Sequence, residues 1–99
     1  MKANFDALIR DDRPVIVDFH TLWCGPCKMQ SPILKDVADE LGEEIKVIKI
    51  DVDQNPEIAG RYNIQSVPTL MVFKQGELKY KKAGVHTKPQ ILNLLQNNI

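Results

Sequence analysis

The run Pro14-Val15-Ile16-Val17-Asp18-Phe19, followed closely by Trp23-Cys24-Gly25-Pro26-Cys27, decides the fold of this chain. The first run is short, apolar and rich in β-branched residues, which is typical of a central buried strand. The second run contains both cysteines of the chain. A lone Cys-x-x-Cys that follows such a strand indicates a dithiol/disulfide couple. We therefore expect reversible two-electron exchange with the disulfide of another molecule.

Composition predicts one ordinary globular domain, over residues 1–99, with 43% hydrophobic and 26% charged residues. Acidic and basic residues balance at 13 each, which argues against a binding face for nucleic acid or for an anionic membrane. The first residues lack the apolar run of a signal peptide, and no segment approaches the roughly 20 apolar residues that span a bilayer. We expect a cytoplasmic protein, since in a reducing cytosol paired cysteines are catalytic or metal-binding more often than structural.

Strand-like and helix-like segments alternate along the chain in the order α-β-α-β-α-β-β-α. Four helices are expected. The first two cover residues 4–11 and 24–41. The third begins at Asn55-Pro56, which have the form of an N-cap and a first-turn proline, and the fourth begins at Thr87, which forms a capping box with Gln90. The expected strands are 14–19, 45–51, 69–73 and 78–83, with a tight turn at 74–77. The order predicts an α/β fold: a right-handed parallel β-α-β unit extended by a hairpin into a mixed sheet, with helices on both faces.

The two cysteines have different expected roles. Cys24 opens a helix, where backbone N–H groups and the helix dipole favour an anion, so we expect a stabilised thiolate with a lowered pKa. Cys24 is therefore the predicted nucleophile. Cys27 lies one helical turn later, points inward and is predicted to resolve the mixed disulfide that Cys24 forms. Pro26 is tolerated between them because first-turn N–H groups have no partner within the helix.

The motif Trp-Cys-Gly-Pro-Cys-Lys at 23–28, placed after Val-Asp-Phe, resembles the thioredoxin family. The match continues from Phe5 onward with the same spacing, at Ser31-Pro32, Lys49, Asp53, Gln54-Asn55-Pro56, Val67-Pro68-Thr69, Gly76 and Gly84. The resemblance implies a thioredoxin fold and a monomeric protein-disulfide reductase that acts on disulfide-containing proteins. It implies recycling by an NADPH-linked thioredoxin reductase. No bound cofactor is expected, since the electrons reside on the sulfurs.

The same resemblance implies roles for residues outside the motif. Asp18 is similar to the family's buried aspartate, which aids proton transfer to and from Cys27, and Lys49 is similar to the lysine beside it. Pro68 matches the family's cis-proline facing the disulfide, and Val67 offers its backbone to an extended substrate strand. A flat apolar patch that binds partner proteins is implied at Trp23, Gly25, Pro26, Val67, Gly84 and Val85.

Two departures from the family pattern affect the expectations. The family usually has tryptophan at the position of His20, and a histidine there can place a charge that titrates near neutral pH beside Asp18. The alternative is that His20 only packs at the loop. The family also begins with an edge strand, for which residues 1–4 are too few. We therefore predict a four-stranded sheet in which 45–51 is an edge, with Lys46 and Lys49 protecting it from other chains.

Other functions remain open on the sequence alone. A disulfide oxidant or isomerase is opposed by Gly25-Pro26 between the cysteines and by the missing signal peptide. A protein-binding subunit could use the apolar patch with incidental redox chemistry. A zinc site is the weakest reading, because zinc takes four ligands and only His20 and His86 could add nitrogens. Lys49 could be a solubility residue of an edge strand, and His86 could simply precede the Thr87 cap.

Overall fold

The computed structural model describes residues 4–98 and reproduces the expected order of helices and strands. The four helices are α1 (Phe5–Ile9), α2 (Gly25–Leu41), α3 (Pro56–Arg61) and α4 (Lys88–Asn98). The four strands are β1 (Val15–His20), β2 (Lys46–Asp51), β3 (Thr69–Lys74) and β4 (Glu77–Ala83). A short 3-10 helix, Gly42–Glu44, follows α2. In this part of the chain no helix combines the length and apolar character needed to cross a membrane.

The strands form one mixed sheet in the order β2-β1-β3-β4. β1 runs parallel to β2 and antiparallel to β3, and β3 pairs with β4 as a hairpin. The four-stranded sheet with β2 at its edge is therefore confirmed for the described residues. The register pairs Asp18 of β1 with Lys49 of β2, and His20 with Asp51. This pairing fixes which charged groups meet at the carboxyl end of β1.

Side chains of β1 alternate between two apolar cores, one on each face of the sheet. Val15, Val17 and Phe19 pack with residues of α1 and α3 on one face. Ile16 packs with residues of α2 and α4 on the other. Asp18 has the same strand parity as Ile16, so its carboxyl group enters the layer beneath α2.

Two expected features, the tight turn at 74–77 and the capping box at Thr87, have the predicted geometry, and Gly42 marks the end of α2. Gln75 and Gly76 both have positive φ, of 54° and 83°, which builds the tight turn between β3 and β4. Gly42 ends α2 with a φ of 54°. Thr87 and Gln90 exchange two hydrogen bonds: Thr87 N–H donates to Gln90 Oε1 at 2.9 Å, and Gln90 N–H donates to Thr87 Oγ1 at 3.3 Å. The capping box is therefore present.

Asn55 and Pro56 occupy the predicted N-cap and first-turn positions of α3. The Asn55 side chain makes no cap bond, however, and its Nδ2 donates instead to the carbonyl of Asp51 at 3.0 Å, tying the loop to β2. Ile45 is buried just before β2 rather than in it. The spacing of Ile91, Leu92, Leu95 and Ile99 predicts the apolar face of α4. Ile91 is buried there, but Leu94 is more deeply buried than Leu92 and Leu95, which pack at the margin of the core. Ile99 lies outside the described residues.

Candidate active site

The two cysteines lie where the loop after β1 enters α2. Cys24 is the N-cap residue of α2, and its Sγ accepts a hydrogen bond from the Cys27 backbone N–H at 3.1 Å. The cysteines are joined by a disulfide, with their Cα atoms 5.3 Å apart. Cys24 is 7% exposed and Cys27 is 4% exposed. A thiolate at this position would be stabilised by the first-turn N–H that the sulfur already accepts and by the positive end of the helix dipole.

A second segment, Val67-Pro68, reaches the disulfide from the loop before β3. Its peptide bond is cis, as the family resemblance implied. Cys24 Sγ lies 3.8 Å from the Val67 carbonyl oxygen. Gly84, with a φ of 102°, donates its N–H to the Pro68 carbonyl at 2.8 Å. The ends of β1, β3 and β4 are thus brought together around Cys24.

Asp18 is fully buried, with an exposed fraction of 0%, and neither of its carboxyl oxygens has a hydrogen-bond partner. Burial raises the pKa of Asp18, while the positive charges of His20 and Lys49 act in the opposite direction. Lys49 lies opposite Asp18 in the register but is exposed, and its Nζ donates to Ser31 Oγ of α2. The predicted burial of Asp18 is confirmed, and the lysine beside it is held by a serine that sequence reasoning did not connect to it.

A cleft of about 280 Å³ opens beside Cys27, between the end of β1, the start of α2 and β2. His20 lines it and is half-buried, and its Nδ1 atom is buried without a hydrogen-bond partner. The other lining residues are Thr21, Leu22, Cys27, Lys28, Ser31 and Lys49. His20, the residue that departs from the family pattern, therefore lines the same cleft as Cys27.

The apolar surface around Cys24 centres on Trp23, whose side chain is 75% exposed. Its Nε1–H donates to Asp53 Oδ2 at 3.1 Å, so the indole is anchored to the loop after β2. Trp23 and Val67 both line a second cleft, of about 180 Å³. We define the docking surface as the predicted patch residues Trp23, Gly25, Pro26, Val67, Gly84 and Val85. Of these six, Val67 and Val85 are half-buried and the other four are exposed. Pro68, which adjoins Val67 but is not part of this surface, is buried.

Comparison with known proteins decides the family. The thioredoxin family model matches residues 1–97. The chain belongs to the thioredoxin family. A thioredoxin of Rickettsia bellii is 43% identical over 98 residues, covering 99% of this chain and 93% of that protein. A thioredoxin-like protein of Synechocystis is 47% identical over 95% of this chain and 90% of its own length. A thioredoxin of Acidithiobacillus ferridurans is 40% identical over 93% and 85% respectively.

Family membership and the cysteine pair together establish the chemistry. Thioredoxins are disulfide oxidoreductases, and this chain carries the family's cysteine pair as Cys24 and Cys27, which are joined by a disulfide. The protein is a disulfide oxidoreductase that works by dithiol–disulfide exchange. The thioredoxin fold, the family and the redox pair that the sequence predicted are thereby confirmed.

The thioredoxin site of this chain also depends on a contact that sequence reasoning missed. Gln30 of α2 is 1% exposed and makes two hydrogen bonds to the backbone of His86: its Nε2 donates to the carbonyl at 3.0 Å, and its Oε1 accepts the N–H at 2.7 Å. The His86 ring is buried, bonds to Tyr80 Oη at 2.8 Å and to the Gly84 carbonyl at 2.9 Å. His86 thus fixes the loop that carries Gly84 and Val85, rather than simply preceding the Thr87 cap.

Zinc binding gains no geometric support within residues 4–98. This part of the thioredoxin domain contains no group of three or more His, Cys, Asp and Glu side chains arranged to hold a metal ion. His86 is engaged with Tyr80 and Gly84, away from the cysteines.

Proposed function

We propose that this protein is a protein-disulfide reductase in which Cys24 attacks the substrate and Cys27 resolves the mixed disulfide. The observation that carries the assignment of roles is the position of Cys24 at the N-cap of α2, with its Sγ accepting the Cys27 N–H. A thiolate formed there is stabilised by a hydrogen bond and by the helix dipole. The relatives named thioredoxin support the reducing direction.

The reaction balances over two steps. The Cys24 thiolate attacks one sulfur of the substrate disulfide, so a mixed disulfide forms and the other substrate sulfur leaves as a thiolate. Cys27 then loses its proton and attacks Cys24 Sγ. The bond between Cys24 and the substrate breaks, the second substrate sulfur leaves with the electron pair, and the Cys24–Cys27 disulfide forms. Two protein thiols are oxidised and one substrate disulfide is reduced to two thiols, which take up protons.

Asp18 is the proposed base for the Cys27 thiol. Its buried carboxyl group has no other hydrogen-bond partner, and its raised pKa makes it a better proton acceptor than an exposed carboxylate. Lys49 is proposed to hold a positive charge near this carboxyl while its Nζ is fixed by Ser31. Loss of a positioned acid–base group typically slows a proton-transfer step by a factor of roughly 10²–10⁴.

The docking surface is the proposed binding site for substrate proteins. Its exposed indole and small residues surround Cys24, and the Val67 carbonyl lies 3.8 Å from the attacking sulfur. An extended substrate segment placed there could pair with the Val67 backbone, as strands do when they add to a sheet edge. Pro68, behind Val67, shapes this segment.

Partners, cofactors, oligomeric state and location complete the proposal. We propose that an NADPH-linked thioredoxin reductase re-reduces the Cys24–Cys27 disulfide, that the protein acts as a monomer without a bound cofactor, and that it works in the cytoplasm. The family and its bacterial relatives support this assignment. A reducing compartment would keep the pair in the dithiol form that the proposed direction requires.

The equilibrium reduction potential of the cysteine pair tests the direction of the reaction. We expect a value more negative than that of the cytosolic glutathione couple, about −240 mV, measured in defined thiol buffers. A value near or above that of glutathione would contradict the reductase assignment and favour a disulfide oxidant or isomerase. Oxidation of NADPH in the presence of a thioredoxin reductase and this protein tests the recycling step.

Trapping tests the roles of the two cysteines. The Cys27→Ser variant should accumulate mixed disulfides with protein substrates, because the resolving sulfur is absent. The Cys24→Ser variant is the matched control and should trap far less. Equal trapping by both variants would contradict the assignment. A double variant that kept its cellular role would instead indicate a protein-binding subunit.

A further inference from the structure

A cluster of polar side chains adjoins the segment that carries Gly84 and Val85. Gln30 of α2 binds both backbone groups of His86, and the His86 ring contacts the Tyr80 hydroxyl group and the Gly84 carbonyl oxygen. Gln30 is 1% exposed and His86 is 6% exposed. Buried polar groups whose partners are all present hold their surroundings in one arrangement. We call Gln30, Tyr80 and His86 the polar cluster.

The hydrogen bonds of the His86 ring determine which nitrogen carries the hydrogen. A carbonyl oxygen only accepts, so His86 Nδ1 carries the hydrogen and donates it to the Gly84 carbonyl oxygen at 2.9 Å. Burial lowers the pKa of His86, so the ring is neutral at neutral pH and its Nε2 is an acceptor. That nitrogen accepts the Tyr80 O–H at 2.8 Å. Tyr80 therefore favours the tautomer that directs a donor at Gly84.

Gly84 is held by hydrogen bonds from two sides. Its N–H donates to the Pro68 carbonyl oxygen at 2.8 Å, and its carbonyl oxygen accepts the His86 Nδ1–H. The first bond joins it to the cis-proline segment, and the second joins it through His86 and Gln30 to α2. A glycine has little conformational preference of its own, so these bonds fix its position. Val85 lies between the two residues that they hold.

We propose that the polar cluster is a positioning device for substrate docking: by holding Gly84 and Val85 against the Val67-Pro68 segment, it sets the reactivity toward disulfides of proteins and leaves the cysteine chemistry unchanged. The inference rests on the proposed role of the docking surface. A docking segment that is already ordered loses less conformational entropy when a substrate protein binds. A small disulfide that reaches Cys24 without the docking surface should not depend on the cluster.

The polar cluster has no contact with the sulfur atoms. Cys24 Sγ accepts the Cys27 N–H and lies near the Val67 carbonyl oxygen. The cleft beside Cys27 is lined by residues of β1, α2, β2 and the loop after β1, and no member of the cluster is among them. Gln30 follows Cys27 by three positions, but both of its amide atoms are bonded to His86. Loss of a cluster bond should therefore slow the reaction with protein disulfides without changing the reduction potential.

The test compares two amide replacements of His86 at about pH 8, where the ring is neutral. The amide nitrogen of asparagine is bonded to Cγ, as Nδ1 is, so His86→Asn keeps a donor for Gly84. The amide nitrogen of glutamine lies one atom further out, as Nε2 does, so His86→Gln keeps a group near Tyr80 and loses that donor. Reduced protein is mixed with insulin, whose chains are joined by disulfides, or with a small chromophoric aromatic disulfide.

We expect His86→Gln to lower the second-order rate constant with insulin roughly threefold to tenfold, which corresponds to the loss of one buried hydrogen bond. Its rate constant with the aromatic disulfide should stay within about twofold of the parent, and its reduction potential should not change. His86→Asn should retain most of the rate with insulin. Equal slowing by the two replacements, or equal slowing with both disulfides, would overturn the inference.

Two further variants separate positioning from general stability. Tyr80→Phe removes one hydroxyl group and keeps the ring, and it should slow only the reaction with insulin, by less than His86→Gln does. Thr87→Ala is the matched control, because it removes the cap of the adjacent helix without touching the Gly84 bond. It should leave both rate constants unchanged. A Thr87→Ala protein that reduces insulin as slowly as His86→Gln would show an effect of stability alone and overturn the inference.

Val85→Asp distinguishes this inference from the proposed function, because it alters the docking surface itself. We expect it to slow the reaction with insulin and not that with the aromatic disulfide. Slowing by Val85→Asp with none by His86→Gln would overturn the inference and leave the docking surface intact. No effect of either variant would overturn the docking surface and this inference with it.

A measurement without substrate tests the positioning directly. Amide hydrogen exchange at Gly84 and Val85 should be faster in His86→Gln than in the parent, and close to that of the parent in His86→Asn. Unchanged exchange at both residues in His86→Gln would overturn the inference.

Discussion

Asp18 places a carboxyl group in the apolar layer between β1 and α2, and this has a consequence for stability. Burial raises the pKa of Asp18 above that of an exposed carboxyl. Between about pH 4, where the unfolded chain releases this proton, and the raised folded value, the folded state binds more protons than the unfolded state. The free energy of unfolding therefore falls as the pH rises through this interval.

We expect Asp18→Asn to stabilise the protein at pH 8, because it removes a carboxyl group whose ionisation is opposed by burial and which has no hydrogen-bond partner. The gain should be on the order of 1–3 kcal/mol, and it should vanish near pH 4. Urea denaturation at both pH values measures it. Asp12→Asn, at an exposed position, is the control and should change little. An Asp18→Asn protein no more stable than the parent at pH 8 would contradict the interpretation.

Residues whose roles depend on near neighbours could be predicted from the sequence. The N-cap position of Cys24, the burial of Asp18 inside an apolar run and the positive φ of Gly76 each follow from a few adjacent residues. The bond from Trp23 to Asp53 and the contact of Lys49 with Ser31 span 30 and 18 positions. No local pattern encodes these contacts, because they depend on which loops and helices the fold brings together.

At the scale of secondary structure elements, α2 is tied to the loop before α4 by Gln30. Its side chain satisfies both backbone groups of His86, 56 positions away. The sequence carried one signal that we did not use: Gln30 continues the helical spacing of the buried α2 residues Cys27, Leu34 and Val37. A glutamine on the apolar face of a helix indicates a buried hydrogen-bonding role.

We expect Gln30→Leu to destabilise the protein by about 2–4 kcal/mol, since it leaves a buried N–H and a buried carbonyl without partners. It should also loosen the loop that carries Gly84 and Val85, which faster amide hydrogen exchange there would show. Gln54→Leu makes the same change at an exposed position and should be nearly neutral. Equal effects of the two substitutions would contradict the role of Gln30.

The capping box of α4 gives a second expectation at this scale. Thr87→Ala removes the side-chain acceptor of the Gln90 N–H and should cost about 1 kcal/mol. In a domain of this size that lowers Tm by roughly 4–8 °C. Thr87→Ser keeps the hydroxyl and should retain most of the stability. A Thr87→Ser protein as unstable as Thr87→Ala would show that the methyl group, not the cap, matters.

For the whole molecule, two buried groups give the pH–stability curve opposite slopes. Burial lowers the pKa of His86 from its ordinary value of 6.5, although its bond to the Gly84 carbonyl acts in the other direction. The contribution of His86 to the free energy of unfolding is therefore fully present above pH 6.5. It is lost as the pH falls toward the lowered pKa of His86 in the folded state. Asp18 acts the other way, because its contribution is lost as the pH rises.

Urea denaturation of the parent and two variants over pH 4–9 tests this balance. In Asp18→Asn, stability should rise with pH up to about 6.5 and then level off, because of the two buried groups His86 still contributes. In His86→Gln, stability should fall with rising pH above about pH 5, because of the two buried groups Asp18 still contributes. The parent should be flatter than either variant on the acid side. Parallel curves for all three proteins would contradict the assignment of these slopes.

The anchored indole of Trp23 is an intrinsic fluorescence probe of the redox site. Trp23 is the only tryptophan of the chain and adjoins Cys24, and its bond to Asp53 holds it beside the redox pair. Because the ring is 75% exposed, a protein that covers it should shift its emission toward the blue. Opening of the neighbouring disulfide should change the emission intensity instead. One unlabelled fluorescence trace can therefore follow docking by wavelength and electron transfer by intensity.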